Sequence, residues 1–70
     1  MATQTVTAHY LDGIKEGRET FKREGMTHAK EHLANVEATM SGFPASTAVG
    51  QMLRGERDFW RNQLKGANHD

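Results

Sequence analysis

The apolar positions of this chain repeat at helical spacing in three separate stretches. Tyr10, Ile14, Gly17 and Phe21 follow at intervals of four, three and four, with Leu11 beside them. That is the stripe of an amphipathic helix. The opposite face carries Asp12, Lys15, Glu16, Glu19, Lys22 and Arg23, and Lys15–Glu19 and Glu19–Arg23 are opposite charges one turn apart. Ala29, Leu33, Val36 and Met40 repeat the same intervals, and Val49, Met52, Leu53, Glu56, Trp60, Gln63 and Leu64 share a third face. No stretch has the alternation of a strand, and there are no internal repeats or low-complexity segments.

The breaks between the stripes are chemically marked. Thr7 is placed to cap the first helix. Gly25 ends it, with Met26 falling where the apolar contact of a Schellman cap meets Phe21. Thr27 is the expected cap of the second helix; Gly42 closes that helix in the same way, with Phe43 meeting Ala38 and Pro44 forbidding continuation. Both glycines are expected at positive φ. Ser46 is the expected cap of the third helix and Gly66 its stop. The pattern predicts an all-α chain with helices over about 8–24, 27–41 and 47–65. Residues 1–7 form a disordered tail that ends in the Thr7 cap, 8–66 one helical domain, and 67–70 a frayed end. The connections are short, so neighbouring helices are expected roughly antiparallel in a small hairpin or bundle.

The third helix holds the only tryptophan, Trp60, beside Phe59, and the two earlier helices are expected to pack against it. The predicted core is Tyr10, Ile14, Phe21, Leu33, Val36, Met40, Val49, Leu53, Trp60 and Leu64. Gly13 and Gly17 lie one turn apart inside the first helix, where each costs about 1 kcal/mol relative to alanine. They are expected to form a notch where another helix backbone comes close. Adjacent residues of a helix point about 100° apart, so Phe59 and Trp60 are not expected in one core. Trp60 is assigned inward, and Met52, Gly55 and Phe59 are assigned to the interface of a two-fold homodimer. Glu56 sits in the middle of the third apolar stripe and requires a partner or a wet boundary.

Composition narrows the possibilities. Seventy residues make one small domain, which leans on disulfides, metals or oligomerisation for stability. There is no cysteine, so the disulfide route is closed, and a second copy of the chain is the expected supplement. Nine basic and nine acidic residues leave no general attraction to nucleic acid or anionic membrane. MATQTVTA has neither the basic region nor the apolar core of a signal peptide, and no apolar run reaches spanning length. A soluble, cytoplasmic chain without cofactor is expected.

His28-Ala29-Lys30-Glu31-His32 matches the H-x-x-E-H pattern of some zinc peptidases. A catalytic metal needs a third protein ligand and a substrate cleft, which so short a chain hardly supplies, so His28 and His32 are assigned to a solvated face. No metal and no catalytic residue is assigned. His9 and His69 lie in or near the expected frayed ends, and no glycine-rich loop follows a strand. A helix-turn-helix is the serious competitor: Ala38, Gly42 and Ala48 fall at about its small-residue offsets, but Glu37, Ser41 and Gln51 stand where it needs apolar residues. Arg54, Arg57, Arg61 and Lys65 are interrupted by Glu56 and Asp58.

The run Val49-Gly50-Gln51-Met52-Leu53-Arg54-Gly55-Glu56-Arg57-Asp58-Phe59-Trp60-Arg61-Asn62-Gln63-Leu64, preceded by Gly42-Phe43-Pro44, resembles the end of small proteins encoded by temperate, lambda-like bacteriophages and prophages. Tyr10-Leu11-Asp12-Gly13 with Gly17-Arg18 is similar too. The resemblance implies an early or accessory phage product of the kind grouped near recombination and excision genes, acting on host or phage proteins. It carries over no catalytic residue. The expected function is non-enzymatic protein–protein interaction, with a small DNA-binding regulator as the alternative.

Zero net charge sets the first expected outcome. Duplex DNA should bind no better than about 10⁻⁴ to 10⁻⁶ M at physiological salt, the non-specific range. A sequence-selective mobility shift at nanomolar protein would contradict it.

Overall fold

The computed structural model describes residues 7–67. Of the tail expected over 1–7 and the frayed end expected over 67–70, residues 1–6 and 68–70 lie outside that range; Ala67 is the last residue of a helix. Three helices account for most of it: α1 (Ala8–Glu24), α2 (Ala29–Met40) and α3 (Ala48–Ala67). The described residues contain no strand. α1 and α2 each pack on α3 and hardly touch one another.

α1 and α3 run in the same direction. Thr7 meets Gln51, Tyr10 lies over Gly55, Gly13 over Met52 and Glu56, and Gly17 over Phe59. The two backbones come close because glycines face carbonyls. A Cβ on Gly13 would drive into the Met52 carbonyl, and one on Gly55 into the Tyr10 carbonyl. A Cβ on Gly17 would lie 2.7 Å from the Phe59 ring. Gly13 and Gly17 are the buried residues of α1, so its contact surface is a groove and not a ridge. Parallel helices need a return segment between them, and α2 supplies it. The loop after α2 lies beside the first half of α3, where Arg54 donates to the Phe43 carbonyl, and His32 of α2 lies on Trp60.

The core is aromatic and centred on α3. Trp60 and Ala29 are almost fully buried, Phe59 is buried beside them, and Ile14, Phe21, Met26, Leu33 and Leu64 pack around the group. Phe21, Phe59 and Trp60 meet edge to face, with ring centres 6.0 Å, 6.3 Å and 5.2 Å apart. That is the arrangement ring quadrupoles favour.

Four expectations need correction. Phe59 faces inward: α3 is flanked on two sides, so α1 takes Phe59 while α2 takes Trp60, and the 100° between them fits both. Gly55 is likewise spent inside the chain, which removes Gly55 and Phe59 from any free surface; Met52 is half-buried, with its carbonyl on Gly13. Val49 is 44% exposed, because it precedes the level at which α1 crosses α3. α3 also continues through Gly66 to Ala67, since nothing lies near Gly66 to force a turn.

The caps divide similarly. Thr7 Oγ1 accepts from the Tyr10 amide at 3.0 Å, as expected. Gly25 has φ 64° and its amide donates to the Phe21 carbonyl at 2.7 Å, so the helix ends there on a single bond in place of the Schellman pair. Gly42 does not have positive φ: its amide and that of Phe43 donate three residues back, to Thr39 and Met40, in a tight continuation of the helical turn. Phe43 is left 39% exposed. The second cap position belongs to His28, not Thr27, and the third to Thr47, not Ser46. Thr47 Oγ1 accepts from the Gly50 amide at 3.0 Å.

These contacts separate the glycines by outcome. Gly13→Ala and Gly55→Ala should each cost about 3 kcal/mol, the upper end of overpacking, because backbone cannot step aside. Gly25→Ala should cost on the order of 1 kcal/mol for its positive φ. Gly42→Ala should fall within about 0.5 kcal/mol of the parent, since the added methyl meets only ordinary contact. Urea unfolding followed by Trp60 fluorescence measures all four.

Candidate functional site

The polar side chains of α3 reach to both neighbours. On the α1 side, the Tyr10 hydroxyl donates to Asp58 Oδ2 at 2.5 Å, and Arg57 Nε donates to Asp58 Oδ1 at 2.9 Å. The bond to Asp58, together with partial burial and the nearby carboxylate charge, pushes the Tyr10 hydroxyl above its ordinary pKa. Burial works to raise the Asp58 carboxyl, but the hydrogen bonds from Tyr10 and Arg57 outweigh it and hold Asp58 below the ordinary range. Beside this pair lies an open cleft of about 430 Å³ lined by Tyr10, Asp58, Arg61, Asn62 and Lys65. Its tyrosine and aspartate satisfy each other, so neither is poised as an acid or base.

On the α2 side, the His32 ring stacks on Trp60 at 4.9 Å and 17°, and its Nε2 lies 2.9 Å from Glu24 Oε1. The His28 ring meets His32 edge to face at 6.5 Å and pairs with Glu31 at 2.7 Å on the exposed surface, so only His28 takes the solvated position expected of both histidines. The two histidines of the H-x-x-E-H pattern therefore address separate carboxylates. Among the described residues no group of three His, Asp or Glu side chains is placed to hold a metal ion.

The arginines of α3 do not form one free stripe. Arg54 donates to the Phe43 and Gly50 carbonyls at 3.3 Å and 3.0 Å, Arg57 is held by Asp58, and Arg61 donates to Glu37 at 3.0 Å. Among the described residues the exposed large apolar side chains are Leu11, Phe43 and Val49. They lie towards the end of the molecule where α1 and α3 begin. No helix among the described residues is long and apolar enough to cross a membrane.

Sequence patterns did not reveal the Tyr10–Asp58 pair, whose members are 48 positions apart. Nor did they reveal the Glu24–His32–Trp60 contact. Glu24 and His32 flank the first turn, which was the available signal, but nothing in the spacing aims either at Trp60.

Comparison with protein-family models, curated proteins and solved structures finds no match for this chain.

Glu56 is half-buried where α1 crosses α3, its amide facing Gly13, and desolvation, reinforced by Glu16, raises its carboxyl above the ordinary range despite opposition from His32. An acid whose folded pKa is raised opposes folding once ionised. The penalty grows as pH rises from the unfolded to the folded value and is fully present above both. Glu56→Gln should therefore raise the thermal midpoint at neutral pH, and the gain should vanish below the carboxylate range. An equal gain at both pH values would show that the effect is not electrostatic.

Proposed function

We propose that this chain is a small non-enzymatic protein–protein interaction module, an accessory regulator in a phage or prophage setting that acts on a host or phage protein in the bacterial cytoplasm. The observation that carries the interaction reading is the contrast on the surface. Leu11, Phe43 and Val49 stay exposed at one end, while Arg54, Arg57 and Arg61 are engaged by partners within the chain. Large apolar side chains left exposed towards one end of a small protein offer the chemistry of a contact surface. The phage setting rests on the sequence resemblance alone, carried by Val49–Leu64 with Gly42-Phe43-Pro44 before it and by Tyr10–Gly13 with Gly17-Arg18. Self-association into a homodimer belongs to the same reading and would use this end, because Gly55 and Phe59 are spent inside the chain.

A DNA-binding regulator is the weaker alternative. It needs cations free to meet phosphates, and three of the four on α3 already hold loops or carboxylates in place.

The test compares the wild type with a Leu11→Lys, Val49→Lys double variant as baits against the cytosol of a bacterium that carries lambda-like phages. A defined protein retained by the wild type and lost by the double variant, with helical content unchanged, is the expected result. Equal capture by both baits would remove the apolar end from the proposal, and a sequence-selective DNA shift would replace it with the alternative.

A further inference from the structure

His32 stands where all three helices meet. Its ring lies flat on the buried indole of Trp60 from α3, and its Nε2 is 2.9 Å from Glu24 at the end of α1. The His32 and Glu24 side chains are each about one-third exposed, at 32% and 34%, so solvent protons reach both. Since α1 and α2 hardly touch otherwise, this contact is the tie between them.

α2 depends on that tie more than the other helices do. It has 12 residues and its N-terminus has no side-chain cap. A helix of that length is marginal in water by itself. What orders it is docking: Ala29 and Val36 are buried, Leu33 packs at the core, and His32 covers Trp60.

We propose that the Glu24–His32–Trp60 contact is a proton-operated latch that holds α2 closed over α3. An imidazole changes its charge between about pH 5 and about pH 8. The imidazolium is attracted to the indole face as a cation and forms a full ion pair with Glu24. The neutral ring keeps the stack and one hydrogen bond.

Titratable and charged groups face the ring from all three helices. From α1, Glu24 faces the ring, and Arg23 acts on Glu24. From α3, Glu56 acts on the ring and is itself opposed by Glu16 on α1. From α2, the His28 ring meets the His32 ring edge to face at 6.5 Å, also acts on Glu24, and is bonded to Glu31. The hydrogen bond from His32 holds the Glu24 carboxyl below its ordinary range against desolvation. The ion pair is lost at the acid end, when Glu24 takes up its own proton below the ordinary carboxylate range.

The test is amide hydrogen exchange of α2 at about pH 5.5 and about pH 8.5, the two sides of imidazole titration, corrected for intrinsic rates. It is run on the intact chain and on His32→Gln, Glu24→Gln and His28→Gln. Wild-type protection of α2 should be higher at the lower pH by a factor of about two to five, the strength of one cation–π contact. His28→Gln, which removes the neighbouring imidazole, should still show a ratio above one, Glu24→Gln should reduce it, and His32→Gln should bring it to one. Trp60 emission, reporting on the same ring, should titrate in the wild type and not in His32→Gln. A wild-type ratio of one overturns the latch, as does a ratio that survives His32→Gln. Should His32→Gln fail to fold, Glu24→Gln decides: an unchanged ratio there overturns the proposal.

Discussion

Everything in this molecule follows from how closely the backbones of α1 and α3 approach. Gly13 sits under the Met52 carbonyl and Gly55 under the Tyr10 carbonyl, one glycine on each helix against the main chain of the other. The arrangement gives up helix propensity at both positions. In return it allows main-chain dispersion contact along the crossing, which a small chain without disulfides needs. It also sets the register. With Gly13 and Gly55 in place, Gly17 falls opposite Phe59, and the missing side chain at 17 is the space the ring occupies.

Register decides the rest of the core. Phe59 turns towards α1, so Trp60, 100° further round, turns towards the other flank of α3. A tryptophan there requires a cover, and α2 supplies Ala29, Leu33 and the flat face of His32. The return helix is therefore shaped by a residue whose direction was fixed by two glycines on a different pair of helices. The small residue Ala29 is what allows the α2 backbone to approach the indole.

Helical periodicity made the three elements legible, because burial of one face is a local pattern. The glycine pair in α1 was legible as well, since unneeded glycines in a charged helix ask for a reason. Partner geometry was not legible. Treating α3 as a helix with one buried face sent Phe59 outward, and only a helix flanked on two sides accommodates both aromatics. Gly42 and Gly25 look alike in sequence, yet only Gly25 adopts positive φ, because the chain after Met40 keeps turning through bonds to Thr39 and Met40 before Pro44 stops it. The caps shifted by one residue wherever two hydroxyl or polar residues stood side by side. The contacts between helices were invisible for a simpler reason: Tyr10 and Asp58, or His32 and Trp60, become neighbours only after the crossing angle is set.

The balanced charge takes on a different meaning once the partners are known. Nine cations and nine anions would serve equally for a fully solvated surface. Here several of them bridge segments: Arg54 closes the loop after α2 onto α3, Arg61 joins α3 to Glu37 of α2, and Asp58 gathers Tyr10 and Arg57. Exposed pairs such as Arg61–Glu37 add little stability each. They do fix the three arginines of α3 against groups of the same chain. Among the large apolar side chains of the described residues, Leu11, Phe43 and Val49 are the ones left exposed, towards the end where α1 and α3 begin.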